Sequence, residues 1–168
     1  MPRGPRLFLD NGCYHIMIRG NNKKRIFLAS KDYTHYLSLV KRCKKQYKIK
    51  VLGYCLMPNH IHMIIQPQEN KRDLSKYMHS ISRAYTAYYN EVYKEVGHLW
   101  QGRYKSKVIL KDGYMLNLIG YIECNPVRAE MVDAPHYYIW SSYRERNLLE
   151  ETNIIDEPDI AGTLSCIK

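Results

Sequence analysis

Two histidines, His60 and His62, are separated by one residue in an apolar, β-branched run that predicts a strand over 60–66. Side chains at i and i+2 of a strand point to the same face, so both imidazoles can converge on one cation while Ile61 enters the core. Two imidazoles suit Mn²⁺, and they accept Mg²⁺ when oxygen ligands complete the shell. The alternative is a pair of polar side chains on the wet face of a sheet.

Tyr121 and Asn125 form a second pair, at i and i+4 of a predicted helix with an apolar stripe of Leu118, Ile119 and Ile122. A tyrosine hydroxyl can attack phosphorus, and an asparagine carbonyl is a hard oxygen ligand for a cation. One helical turn could therefore join a nucleophile to a metal. The alternative is that Tyr121 packs, as most of the 16 tyrosines must, and that an asparagine before a proline simply ends the helix.

The elements that must position these residues follow the order β-α-β-β-α-β-α. A helix is expected from Ser30 as N-cap, a longer one from 73 or 74 to about Val96, ended by Gly97, and a third from Asp112 to the residues before Pro126. The strands are predicted over 13–19, 50–57, 60–66 and 103–110, with a turn at 58–59. This order predicts an α+β, ferredoxin-like (RRM-like) sandwich whose antiparallel sheet has helices on one face, plus an added C-terminal helix carrying the tyrosine. The other face of the sheet is expected to be free.

The charge of the chain is strongly positive and unevenly distributed. The 168 residues include 26 Lys+Arg and 16 Asp+Glu, a net charge of +10. Residues 145–168 carry six acidic and two basic side chains, so residues 1–144 hold a net +14. A field of this sign attracts polyanions, of which nucleic acid is the commonest. The predicted organisation is one domain over 1–145 and a short acidic tail over 146–168.

The cysteines and the termini indicate the compartment. The five cysteines are odd in number and include no C-x-x-C pair, which argues against a disulfide framework or a thiolate zinc site. The basic N-terminus is not followed by the apolar segment of a signal peptide, and no apolar run approaches the length of a membrane span. A soluble, cytoplasmic, nucleoid-associated protein is expected.

Several ordered segments resemble the single-tyrosine HUH transposases, most closely the REP-associated tyrosine transposases. Residues 52–65 read LGYCLMPNHIHMII and are similar to the family signature Y-V-L-M-P-N-H-V-H-L-L. The other matching segments are WQGRYKS at 100–106, YIECNPVRAEMV at 121–132, WSSY at 140–143, and the opening residues 1–3, 14–15 and 19–22. The resemblance runs from residue 1 to about 143, in order and at family spacing.

The resemblance implies a chemistry and a partner. His60, His62 and Asn125 would hold one divalent cation, Mg²⁺ or Mn²⁺, and Tyr121 would attack the scissile phosphate of single-stranded or hairpin DNA to leave a 5′-phosphotyrosine. Phosphate contacts are implied for a basic set of residues: Arg19, Asn21, Lys23, Lys24, Arg25, Arg103, Lys105 and Lys107. The REP-associated branch implies a monomer, whereas other relatives form homodimers.

The sequence departs from the family pattern at two places, and two other functions are also compatible with it. Glu130 stands where the family has glycine, and the tail after the W-S-S motif is short and acidic. One competing function is a non-cleaving module that binds nucleic acid on an RRM-like sheet, which would stack bases on sheet aromatics. The other is a metal-dependent hydrolase in which water attacks and Tyr121 only packs.

Overall fold

A computed structural model describes residues 9, 12–110 and 112–157. In chain order its main elements are β1 (Cys13–Arg19), α1 (Ser30–Gln46), β2 (Ile49–Met57), β3 (His60–Pro67), α2 (Asp73–Tyr93), β4 (Lys105–Ile109), α3 (Asp112–Glu123), α4 (Asn125–Arg128) and α5 (Tyr143–Asn147). Short 3-10 turns lie at Asn21–Lys23 and Pro135–Tyr137. The described part of the chain contains no helix that is both long and apolar enough to cross a membrane.

The four strands form one antiparallel sheet in the order β2-β3-β1-β4. This order is that of a ferredoxin-like sandwich, so the predicted fold class is confirmed. Pro58 and Asn59 make the predicted two-residue turn, because Met57 pairs with His60 directly across it. The β3 strand is central, as its apolar run predicted, and it pairs with β1 and β2.

The main core lies between one face of the sheet and helices α1 and α2. Alternate residues of β1 and β3 enter it, including Tyr14, Ile16 and Ile61, because successive side chains of a strand point to opposite faces. The amphipathic helices supply apolar and aromatic side chains, among them Tyr36 and Tyr85, which meet nearly edge to face with ring centroids 5.2 Å apart. Most of the tyrosine excess is therefore used in packing, as expected.

Asp32 fixes the start of α1 and is completely buried. Its Oδ2 accepts the backbone N–H groups of Leu28 and Ala29, at 2.8 and 2.9 Å, and the hydroxyl of Tyr93, while its Oδ1 accepts the hydroxyl of Tyr88. Burial alone would raise the pKa of Asp32, but these hydrogen bonds outweigh it and the pKa is lowered. The N-cap position belongs to Ala29, so the prediction of Ser30 as N-cap was wrong: the capping carboxylate lies one turn inside the helix.

The second face of the sheet is partly covered, contrary to the expectation of a free face. Helix α3 lays Met115, Ile119 and Ile122 against this face, where they form a small core with Leu52 and Ile64. Helix α3 passes over Gly53, where an added Cβ would be in ordinary van der Waals contact, 3.4 Å from the nearest Ile119 methyl group. The part of this face that carries the histidines lies beside the helix.

The largest differences from the predicted bounds are at the end of α2 and at both ends of β4, and Pro126 lies inside the separate short helix α4. Helix α2 stops at Tyr93, before Val96, because Lys94 takes a left-handed conformation and the Asn90 carbonyl accepts the N–H groups of both Lys94 and Glu95. Strand β4 covers only Lys105–Ile109, whereas 103–110 was predicted.

The described part of the C-terminal segment packs on the domain. Ile154 is buried in the main core. The Asp156 carboxylate forms an ion pair with Lys44 at 2.8 Å and accepts the backbone N–H of Val51. Residues 158–168 lie outside the described part of the chain.

Candidate functional site

His60 and His62 lie on the face of β3 opposite the main core, at the end of the strand that follows the Pro58–Asn59 turn. On β1, His60 is opposite Arg19 and His62 is opposite Met17. The two ring centroids are 5.0 Å apart and the ring planes are nearly perpendicular. The strand therefore brings the two imidazoles together on one face.

Each imidazole has its Nδ1 atom engaged by a neighbour. His60 Nδ1 donates to the carbonyl Oδ1 of Asn59 at 2.6 Å, and the Asn59 amide in turn donates to the backbone carbonyl of Lys23. Because a carbonyl oxygen can only accept, the proton of His60 is on Nδ1 and its Nε2 lone pair is free. His62 Nδ1 lies 2.9 Å from Nε2 of a third histidine, His15.

Burial and positive neighbours keep both histidines neutral. Burial is the main cause that lowers the pKa of His62 to about 3, and repulsion from Arg19, and from His60 and His15 when they are protonated, adds to it. The pKa of His60 is lowered by burial and by Arg19. Neutral imidazoles have the free lone pair that a metal ligand requires.

A cationic pocket opens beside the histidines, between β1 and the chain that leads into β4. Its volume is about 340 Å³, and its lining residues are Met17, Ile18, Arg19, Gln101, Arg103 and Lys105. None of these side chains is acidic. The Nε atom of Arg19 is buried and has no hydrogen-bond partner. Three cations without a counter-charge make this pocket a site for an anion.

The other five residues predicted to contact phosphate do not line this pocket. Lys24 forms an ion pair with Glu95 at 2.6 Å and lies over the ring of Tyr89. Lys107 is opposite His15 on β4, on the histidine face of the sheet.

The other three lie in or just after the turn that follows β1. Asn21 donates its backbone N–H to the Leu99 carbonyl, and the side chain of Lys23 is exposed. Arg25 is also exposed. Burial raises the pKa of both Tyr33 and Tyr138, and the positive charge of Arg25 offsets part of that rise.

Tyr121 lies on the outer side of α3. Its side chain is half exposed, it lines a small cavity with Tyr114 and Leu118, and the Arg128 guanidinium lies over its ring at 4.2 Å. Among the described residues, no hydrogen bond or ring contact joins Tyr121 to His60 or His62.

Asn125 is the first residue of α4, one turn after Tyr121. Its Nδ2 is buried and without a hydrogen-bond partner. This NH₂ group is a donor, so the partner it could take is an acceptor such as a phosphate oxygen and not a cation.

A buried polar network anchors the end of α3 between Tyr121 and Asn125. The Glu123 carboxylate accepts the hydroxyl of Ser142 at 2.5 Å and the Arg146 Nε at 3.2 Å. The 140–142 segment is itself paired with the edge of β2, where Tyr54 and Leu56 exchange backbone hydrogen bonds with it. The W-S-S motif therefore holds the tyrosine helix against the sheet.

Sequence reasoning missed His15 and Glu123. The alternation on β1 places His15 on the face opposite Tyr14 and Ile16, a signal that the sequence does contain. Its contact with His62 also depends on the pairing of β1 with β3. The only sign of the role of Glu123 in the sequence is that a carboxylate lies on the apolar side of a predicted helix. A carboxylate that is buried there requires a hydrogen-bonding or charged partner.

The donor set fits a divalent cation. Two neutral imidazoles offer nitrogen on one face of β3. The unpartnered Asn125 Nδ2 is a hydrogen-bond donor and does not bind a cation, so Asn125 would have to contribute its Oδ1. Within residues 12–110 and 112–157, no group of three or more His, Cys, Asp or Glu side chains could hold a metal alone. The remaining ligands must therefore be amide oxygens, water or oxygens of the substrate.

Comparisons with known proteins identify the family of the chain. A family model described as IS200-like transposase matches residues 9–125. The chain belongs to the IS200-like transposase family. Membership places it among the DNA transposases, and it confirms the resemblance seen in the sequence.

Two known proteins to which the chain is similar extend the comparison. A Haemophilus influenzae protein named for the REP-associated tyrosine transposases is 25% identical over 149 residues, which cover 82% of this chain and 83% of that protein. A REP-associated tyrosine transposase solved with a REP hairpin has the same fold, with a TM-score of 0.74 at 17% identity over 99% of this chain and 95% of that one.

Proposed function

We propose that this transposase cleaves and rejoins single-stranded or hairpin DNA in a metal-dependent reaction through a 5′-phosphotyrosine at Tyr121. The observation that carries the proposal is the pair of neutral histidines next to a cationic pocket with no acidic lining residue. A phosphodiester backbone is the ligand that satisfies both, since it offers anionic oxygens to the cations and to a metal at once.

The side chains of the site would divide the binding of the strand. Arg19, Arg103 and Lys105 bind a phosphate beside the histidines, and the buried Arg19 Nε gains the partner it lacks. His60, His62 and Asn125 would hold Mg²⁺ or Mn²⁺. When bound, this ion polarises the scissile phosphate and stabilises the charge of the transition state.

The covalent step is a transesterification. The Tyr121 Oη forms a bond to phosphorus while the bond from phosphorus to the 3′-oxygen breaks. The tyrosine proton is lost to solvent and the 3′-oxygen takes one up, so the products are a 5′-phosphotyrosine and a free 3′-hydroxyl. Because one phosphodiester replaces another, the 3′-hydroxyl of a strand can reverse the step without ATP.

The step requires the Tyr121 hydroxyl to reach the scissile phosphate. In the structure the ring lies under the Arg128 guanidinium, so we propose that the Tyr121 side chain leaves this contact before the attack. DNA phosphates that compete for the Arg128 guanidinium would release the ring. The solved relative bound to a REP hairpin supports a hairpin as the substrate class, and we propose that the chain acts as a monomer.

A non-cleaving RRM-like module is less well supported. Base-stacking sheets of that kind carry aromatic residues on the exposed face of their central strands. The residues of β1 and β3 on this face are Cys13, His15, Met17, Arg19, His60, His62, Ile64 and Gln66, and none is Tyr, Phe or Trp. The one Tyr, Phe or Trp of these two strands, Tyr14, faces the helices instead.

The test is a cleavage assay with a hairpin oligonucleotide that has single-stranded flanks, labelled at its 3′ end and incubated with Mn²⁺. A denaturing gel should show the label on a protein-sized band, because the tyrosine keeps the 5′-phosphate of the downstream fragment. Tyr121→Phe should lose the band, while Tyr114→Phe, on the same helix, should keep it. Cleavage that persists in Tyr121→Phe would show that water attacks.

A further inference from the structure

The contact between His15 and His62 has consequences for the metal site. The two rings are only 20° from parallel and their centroids are 5.1 Å apart. The nitrogens that face each other are 2.9 Å apart, so the ring centres and these nitrogens lie nearly on one line. The contact is therefore an in-plane N–H···N hydrogen bond, and the rings are not stacked on each other.

A hydrogen bond between two neutral imidazoles can run in either direction, and the two directions have opposite effects. If His15 Nε2 carries the proton, His62 Nδ1 accepts it and the proton of His62 must be on Nε2. If His62 Nδ1 carries the proton, His15 Nε2 accepts it and the His62 Nε2 lone pair is free. Only the second arrangement lets His62 Nε2 bind a cation.

We propose that His15 is a positioning residue that accepts the His62 Nδ1 proton and so presents His62 Nε2 to the divalent cation. This inference rests on the proposed metal-dependent function. A partner on the non-ligating nitrogen fixes both the tautomer and the ring orientation of a metal-binding histidine.

The neighbouring histidine supports this arrangement. His60 already has its proton on Nδ1, held by the Asn59 carbonyl, and its Nε2 is free. His15 would do for His62 what Asn59 does for His60, so that both Nε2 atoms are available on the same face of β3.

The position of His15 is built into the sheet. It lies on β1 between two paired strands, opposite Ile64 on β3 and Lys107 on β4, and its side chain is partly buried. Neither partner residue offers an acceptor to His62. In the described structure, His15 is the only side chain with a hydrogen bond to the His62 ring.

The test measures Mn²⁺ binding by calorimetry, or by loss of the free-ion EPR signal, in the full chain without DNA. His15→Leu keeps an apolar side chain in the space but has no acceptor, and we expect it to weaken binding about 10- to 100-fold. His15→Gln offers an amide oxygen to His62 Nδ1 and should recover part of this loss. His79→Leu and His79→Gln, at an exposed histidine of α2, should bind as the wild type does.

A spectroscopic readout identifies the nitrogens directly. With Zn²⁺ as a diamagnetic probe, long-range ¹H–¹⁵N spectra should show the His62 proton on Nδ1 and the metal on Nε2. Metal on Nδ1, or His15→Leu binding Mn²⁺ as tightly as the wild type, would overturn the inference. His62→Ala separates the two proposals: if the wild type binds Mn²⁺ no better than this variant, the proposed metal site itself is wrong, and the role of His15 with it.

Discussion

Removal of the Arg19 charge tests whether the cationic pocket is where the DNA backbone binds. Arg19→Gln leaves a polar side chain of similar length on β1 but takes away one of the three cations that line the pocket. The matched control is Lys24→Gln, which removes the same charge from the whole chain at a residue already paired with Glu95. Both residues are equally basic in the sequence, and only the structure distinguishes them.

The expected loss of DNA affinity follows from the missing hydrogen-bond partner of Arg19. Its Nε is buried and unpartnered, so a phosphate oxygen that binds it gains a charge-assisted hydrogen bond without breaking one inside the protein. Such bonds contribute about 1.5–3 kcal/mol. Arg19→Gln should therefore weaken DNA binding about 10- to 150-fold, at about 1.4 kcal/mol for each factor of ten. One fewer phosphate contact should also reduce the salt slope by about 0.7 for a single strand or about 0.9 for a duplex.

The assay is fluorescence anisotropy of a labelled hairpin with single-stranded flanks, measured from low to moderate salt and without metal. Arg19→Gln should show both the lower affinity and the shallower slope, and Lys24→Gln should stay close to the wild type. Equal losses in the two variants would mean that a diffuse positive field binds the DNA. In that case the argument from the pocket would be refuted.

Three further substitutions test the fold around the site. Asp32→Asn should lower the free energy of unfolding by about 2–4 kcal/mol in urea titrations, because an amide cannot accept all the donors that surround the carboxylate. The pKa of Asp32 is lowered in the folded state. Its contribution to the free energy of unfolding is therefore complete above the ordinary carboxyl pKa and is lost as the pH falls through the lowered value. The difference in stability between wild type and variant should narrow in acid. Ser142→Ala should cost about 1–3 kcal/mol and speed hydrogen exchange at the C-terminal end of α3 in mass spectrometry, whereas unchanged exchange would exclude the anchor. Gly20→Ala places a Cβ against the Lys24 carbonyl and 2.8 Å from an Ile26 methyl group, so thermal denaturation should show a loss of about 1–3 kcal/mol.

The strands and the histidine pair could be predicted from the sequence because their signals are local. Period-two alternation defines β1 and β3, and the spacing of His60 and His62 alone places both rings on one face. The order of the elements then specifies the sheet. These predictions required no knowledge of which distant residues meet.

The parts that could not be predicted depend on long-range contacts. Lys24 is paired with Glu95, two residues beyond the end of α2, whereas Arg19 lines the cationic pocket and its Nε has no partner. The partner of His62 depends on the strand order that places β1 beside β3. The covered sheet face depends on α3 packing against Leu52 and Ile64, which are distant from it in the sequence.

The central claim is that one tyrosine of the 16 carries the cleaved strand. The most direct measurement is mass spectrometry of the covalent adduct, trapped with a hairpin substrate and Mn²⁺, trimmed with nuclease and digested with protease. The account predicts a nucleotide attached through its 5′-phosphate to Tyr121 and to no other residue. A nucleotide on another side chain, or a cleaved strand with a free 5′-phosphate and no adduct, would contradict it.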